Sequence, residues 1–144
     1  MFVCPGTDLI QKGYDKLIKK GLKYLYLMKG THIMTRILSI KHPINIIGAG
    51  RDQTFVKGYG FEIKGKKEEG KKVILKDMTI SETSEDGVGV GAKDGLSWLC
   101  DSLTITQCGG RGVYAYSNTK GRLINCVITQ CGYSGIDCDK NALI

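Results

Sequence analysis

Val73-Ile-Leu-Lys-Asp-Met-Thr-Ile80 reads onto Trp98-Leu-Cys-Asp-Ser-Leu-Thr-Ile105 and again onto Gly121-Arg-Leu-Ile-Asn-Cys-Val-Ile128, at steps of 25 and 23 residues. Leu75, Cys100 and Leu123 fall in one column, Met78, Leu103 and Cys126 in a second, and Ile80, Ile105 and Ile128 in a third. A second short strand follows each copy: Gly87-Val-Gly-Val90, Gly112-Val-Tyr-Ala115 and Gly135-Ile-Asp-Cys138, with Gly60-Phe-Glu-Ile63 one repeat earlier. Between them Thr106-Gln-Cys-Gly109 recurs as Thr129-Gln-Cys-Gly132. Each copy alternates apolar and polar residues over a few positions and then turns at glycine, with no helical period between strands. One such copy cannot bury its apolar side alone, so copies must stack, like residues lying over one another at about 4.8 Å. The repeat therefore predicts an all-β parallel solenoid.

Working back toward the first residue, Asp8-Leu-Ile-Gln11 reads as a capping box that opens an amphipathic helix to about Lys20. Ile10, Tyr14, Leu17 and Ile18 share one face of it at spacings of three and four, and Gly21 stops it. A helix there covers the open end of a strand stack. Leu22–Met28 reads as a strand, Lys29–Thr31 as a turn, and Ile37–Ile40 and Ile44–Ile47 as further strands. The expected organisation is one domain, 1–144, with an N-terminal strand and capping helix in 1–21 and coils in 22–144. The coils end at Leu143-Ile144 in the middle of a repeat, so the C-terminal coil is expected to be open.

The chain has 144 residues, of which 20 are glycine and 2 proline, and 42% are hydrophobic. This composition suits many tight turns around a buried core and does not suit disorder. No apolar run is long enough to span a membrane. Residues 1–6 carry neither the basic nor the apolar region of a leader, which points to an intracellular or virion setting. The net charge of +7 is uneven: residues 1–76 carry +10 and residues 77–144 carry −3. The densest lysine run, 64–72, contains its own acids and no aromatic residue, so it reads as a solvated loop and not as a nucleic-acid site. The six cysteines lack metal-ligand spacing and fall mostly in the repeat columns, so they read as reduced core thiols; Cys108 over Cys131 is the pair placed to bridge.

Asp8–Gln11, then Lys29-Gly-Thr-His32, then Pro43-Ile-Asn-Ile-Ile-Gly-Ala-Gly-Arg-Asp-Gln-Thr-Phe-Val-Lys-Gly58, resemble the opening of right-handed parallel β-helix proteins of the pectin-lyase-like superfamily. Asn125-Cys-Val-Ile128 is similar to their repeats. The resemblance covers nearly the whole chain and implies a right-handed parallel β-helix of about five coils. It leaves function open, because one fold hosts many activities.

The resemblance also implies that ligands lie along the sheet made by Phe61–Ile63, Val88–Val90, Val113–Ala115 and Ile136–Cys138. Its outward stripe is then Glu62, Gly89, Tyr114 and Asp137, with Tyr59, Asp86, Arg111 and Ser134 at the preceding turns. Glu62, Asp86, Arg111, Tyr114 and Asp137 are the candidate binding residues, since aromatic faces suit sugar rings and charged groups suit hydroxyls. For catalysis the pattern is incomplete. Gly135-Ile-Asp137 is similar to the Asp-Gly-x-Asp stretch of polygalacturonase-like hydrolases, but Ser134 replaces the first acid and the Gly-His-Gly is missing. A lyase of this group would use Arg111 with Asp86 and Asp137, and calcium to neutralise a uronate. The expected function is thus a non-catalytic structural or binding module, without cofactor or metal. It would recognise a protein or carbohydrate partner, or a second copy of itself, by its lateral face or open C-terminal coil. The rival is a carbohydrate-active enzyme, lyase or hydrolase, on an acidic polysaccharide.

Overall fold

Ile80 pairs with Ile105, and Ile105 with Ile128, in parallel register in the computed structural model, which describes residues 1–144. The elements run β1 (Phe2–Val3), β2 (Gly6–Thr7), α1 (Leu9–Lys19), β3 (Tyr24–Leu27), β4 (Gly30–Ile33), β5 (Leu38–Ile40), β6 (Asn45–Ile47), β7 (Thr54–Gly58) and β8 (Phe61–Ile63). They continue as β9 (Lys72–Thr83), β10 (Val90–Ala92), β11 (Ser97–Thr106), β12 (Val113–Ala115), β13 (Gly121–Ile124), β14 (Val127–Thr129) and β15 (Ile136–Cys138). All strand pairs are parallel, and they form a solenoid of about six turns with three faces. The first face stacks β1, β3, β6, the first half of β9, the first half of β11, and β13. The second stacks β2, β4, β7, the second halves of β9 and β11, and β14. The third stacks β5, β8, β10, β12 and β15.

The count of five coils holds for the third face alone. In the first turn α1 takes the place of the strand, so the other two faces have six rungs. Ile10, Tyr14 and Leu17 of α1 are buried on the end of the core. Gly13 lets the helix close on β1, since a Cβ there would lie 2.6 Å from Val3 Cγ2. The capping box does not form. Asp8 adopts φ 56° and makes no side-chain bond to the helix. Its carboxylate instead accepts from the Thr35 N–H at 2.8 Å and the Thr35 hydroxyl at 2.5 Å. Those two bonds hold its pKa below the ordinary 3.8. The segment read as a turn at Lys29–Thr31 is already strand from Gly30, in register with β2 and β7.

The corners between the first and second faces fall on Asp77, Ser102 and Asn125, at φ 57°, 56° and 51°. These short polar residues tolerate the left-handed region better than branched ones. Three longer polar residues, Glu82, Gln107 and Gln130, also take the left-handed region at or near the end of the second face, at φ 52°, 53° and 54°. Inside, Val73, Trp98 and Gly121 share a column. A Cβ on Gly121 would lie 1.9 Å from Trp98 Cε2, so the buried indole occupies the volume that the glycine leaves free. In the last turn the inward column is uncovered: Ile136 is 50% exposed, whereas Val113 beside it is fully buried.

All six cysteines are free thiols. Burial pushes the Cys108 thiol up to about 11, with Cys131 adding to the shift, and burial also holds the Cys100 thiol well above its ordinary value. The thiolate is the reactive form. Iodoacetamide at pH 8 is therefore expected to label exposed Cys4 and Cys138 in the native protein, and Cys100 and Cys108 only after denaturation. Peptide mass spectrometry reads the order; native labelling of Cys100 at the rate of Cys4 would contradict this packing.

Candidate functional site

The third face presents its outward residues in register: Ser39, Glu62, Gly91, Tyr114 and Asp137. Glu62, Tyr114 and Asp137 lie where the sequence places them, but Gly89 does not belong to this stripe. Val90 pairs with Val113 and Phe61, so the strand of that turn starts two residues later than the repeat suggests. Gly89 sits in the preceding turn, its Cβ direction meeting Ile105 Cγ2 at 2.7 Å. The later start brings a second outward column into line. Backbone bonds from Lys64 to Ile40, Lys93 to Ile63, Tyr116 to Ala92 and Asp139 to Ala115 place Lys64, Lys93, Tyr116 and Asp139 on successive rungs.

Two groups result. In the first, Arg111 Nε donates to Asp137 Oδ2 at 2.7 Å, and the guanidinium lies 4.5 Å from the Tyr114 ring and 5.9 Å from that of Tyr133. The Tyr133 hydroxyl donates to Asp86 Oδ1. Asp86, Arg111, Tyr114 and Asp137 are thus brought together, as the sequence suggests, with Tyr133 as an addition. In the second group Tyr116 stacks on Tyr114 at 4.7 Å, Lys93 lies 5.9 Å above the Tyr116 ring, and Lys64 Nζ is 3.7 Å from Glu62 Oε1. Glu62, and after it Tyr116, raise the pKa of Lys93 above 10.5, so its ammonium stays charged. Glu62 lies two rungs from Tyr114 with Gly91 between them, and belongs to this second group and not to the arginine cluster.

The charges of the face are largely matched to one another. Arg111 is tied to Asp137 and held against aromatic rings, and guanidinium keeps its proton at any ordinary pH. That suits positioning and hydrogen bonding and does not suit proton abstraction. No group of three His, Cys, Asp or Glu side chains is placed to hold a metal ion. Tyr116, Lys93 and Lys64 escape a sequence reading because the two-residue offset at Val90 hides their column. Tyr133 precedes the strand and joins the site through a turn.

The model for the right-handed β-helix region matches residues 39–144. Among solved structures the chain is similar to the PL6 family alginate lyase AlyGC, with 12% identity and a TM-score of 0.60. The match covers 87% of this chain and 20% of that one, so the chain spans about a fifth of the enzyme's length. At this identity the likeness is one of fold. No curated protein matches the sequence. With its repeat, its three parallel faces and a family match over most of its length in agreement, the chain belongs to the right-handed β-helix family.

Proposed function

We propose that the third face binds a hydroxyl-rich carbohydrate chain and that the protein acts there as a binding module without turning the sugar over. The observation that carries this reading is the state of Arg111: bonded to Asp137 and stacked on Tyr114, which is itself stacked on Tyr116. Stacked planar groups give a sugar its C–H contacts, and the paired carboxylates and cations beside them offer partners for hydroxyls. The pairing also argues against selection for uronates on this face, because Arg111 and Lys64 each already face a carboxylate.

Titration of the protein with neutral and uronate oligosaccharides, followed by isothermal calorimetry, tests the reading. A neutral oligosaccharide is expected to bind, and Tyr114→Ala to weaken it about fivefold, as aromatic contacts are worth about 1 kcal/mol. No reducing ends or unsaturated products are expected on prolonged incubation, with or without calcium. Binding that ignores Tyr114→Ala would remove this site, and product formation abolished by Arg111→Ala would make the protein an enzyme.

A further inference from the structure

The lysine-rich segment that reads as a solvated loop does not stand alone. Gly65 and Lys66 tie it to the next turn, through the Leu96 N–H to Gly65 carbonyl bond at 2.9 Å and an antiparallel bridge between Lys66 and Gly95. Held there, residues 67–72 wall two cavities of about 350 Å³ each, which share Gly70, Lys71 and Lys72. One cavity runs toward Lys120 and Arg122, the other toward Lys23 and Tyr24. Together they form a trough along the edge of the first face. From the rung of Lys23 to that of Gly121 are four steps of about 4.8 Å, or about 19 Å.

The charges in this trough are not matched. Glu68 and Glu69 are paired with Lys71 and Lys67, at 3.7 and 3.9 Å. Lys23, Lys72, Lys120 and Arg122 are exposed and have no acidic partner within ion-pair distance. Buried Trp98 also lines the trough, and its indole N–H, a donor only, has no hydrogen-bond partner. At the Lys23 end the trough opens onto aromatic rings. Tyr24 is 49% exposed and its ring lies 6.1 Å from that of Tyr26, which stacks on Phe2, 71% exposed, at 5.3 Å. Leu22 and Met28, close to these rings in sequence, are exposed as well, and half-buried Ile47 pairs with Tyr26 on the next rung; none of the three offers anything to a hydroxyl.

We infer that this trough and its aromatic end bind a short stretch of single-stranded nucleic acid, the phosphates tracking Arg122, Lys120, Lys72 and Lys23 and the bases stacking on Tyr24 and its neighbours. A groove of unpaired cations leading to an aromatic platform is the arrangement that holds a single strand without reading its sequence. An acidic polysaccharide would use the cations and leave the apolar ring surround unexplained. A bilayer meets flat or convex surfaces, whereas these cations line a concave trough. The site lies on a different face from the tyrosine–arginine cluster and does not depend on the carbohydrate reading.

Fluorescence anisotropy with labelled dT12 across a salt series tests it. Four phosphate contacts give a slope of log K against log salt of about −2.8, a loss of roughly 50-fold between 50 and 200 mM salt. The triple variant Lys72→Gln/Lys120→Gln/Arg122→Gln leaves one cation and is expected to flatten the slope to about −0.7. Tyr24→Ala is expected to weaken binding about fivefold or more at an unchanged slope, since stacking contributes at least about 1 kcal/mol per base. Tyr114→Ala is expected to change nothing here. All these residues are exposed or half-buried, and circular dichroism checks that each variant is folded. Absence of dT12 binding at 50 mM salt overturns the inference. So does a heparin fragment that binds more tightly than dT12 and ignores Tyr24→Ala, which would mark an acidic-polysaccharide site. Sedimentation with phosphatidylserine vesicles that dT12 does not compete away would mark a membrane surface and also overturn it.

Discussion

Trp98→Val and Gly121→Val are each expected to destabilise the protein, and the two together by less than the sum of the single losses. The single changes fail for opposite reasons. Trp98→Val empties a fully packed site, and loss of a buried aromatic side chain costs about 3 kcal/mol or more. Gly121→Val drives a side chain into the indole, where even a Cβ would lie 1.9 Å from Cε2; overpacking of this kind costs about 1–3 kcal/mol. In the double variant the column becomes valine on three successive rungs, continuing Val73, and each change removes the other's defect. A coupling of at least about 1 kcal/mol is therefore expected from urea unfolding of the four proteins. Additive losses would mean that indole and glycine do not share one volume.

Ile105→Ala carries a comparable loss, about 2–5 kcal/mol. Ile105 is fully buried between Ile80 and Ile128 in the same column. In a repeat structure each turn contacts only its neighbours, so the damage is local. Amide exchange is expected to quicken first in β14 and the turns after β11, while β3 and β6 keep their protection until global unfolding. Uniform loss of protection across all turns would show that the solenoid unfolds as a single unit and would contradict this picture.

The columns of the fold are legible because burial acts on the same positions in every turn. Leu75, Cys100 and Leu123, and Ile80, Ile105 and Ile128, announce themselves without any partner being known. What the sequence conceals has identifiable causes. Gly87-Val-Gly-Val90 offers two strand frames that differ by two residues, and a shift of two keeps every side chain on its own face. Alternation therefore cannot choose between Val88 and Val90, and the column of Lys93 and Tyr116 is lost with the wrong choice. Asp8 satisfies a local helix-start pattern, yet its partner Thr35 is 27 residues away. The same holds for the trough. The lysines of 67–72 have no aromatic residue nearby in sequence, and the fold brings Tyr24 to them from two turns earlier. Of the candidate site, Asp86, Arg111, Tyr114 and Asp137 could be named in advance, because they fall at recurring strand and turn positions. Tyr133 could not, because its place depends on the path of one turn.

The parallel pairing of every strand has a mechanical consequence. The hydrogen bonds that join turn to turn all point along the solenoid axis, and the strands lie across it. Tension applied along the axis, between the first turn and the last, loads those bonds in their own direction and only at the rung being opened, so turns should peel away singly at modest force. Tension that slides one rung past the next, for instance pulling Lys72 of β9 and Asp101 of β11 in opposite directions along their paired strands, loads many bonds in shear at once and should meet far greater resistance. The molecule is a ratchet-like spring in one direction and a stiff plate in the other, and whatever it holds on a lateral face is held by the stiff one.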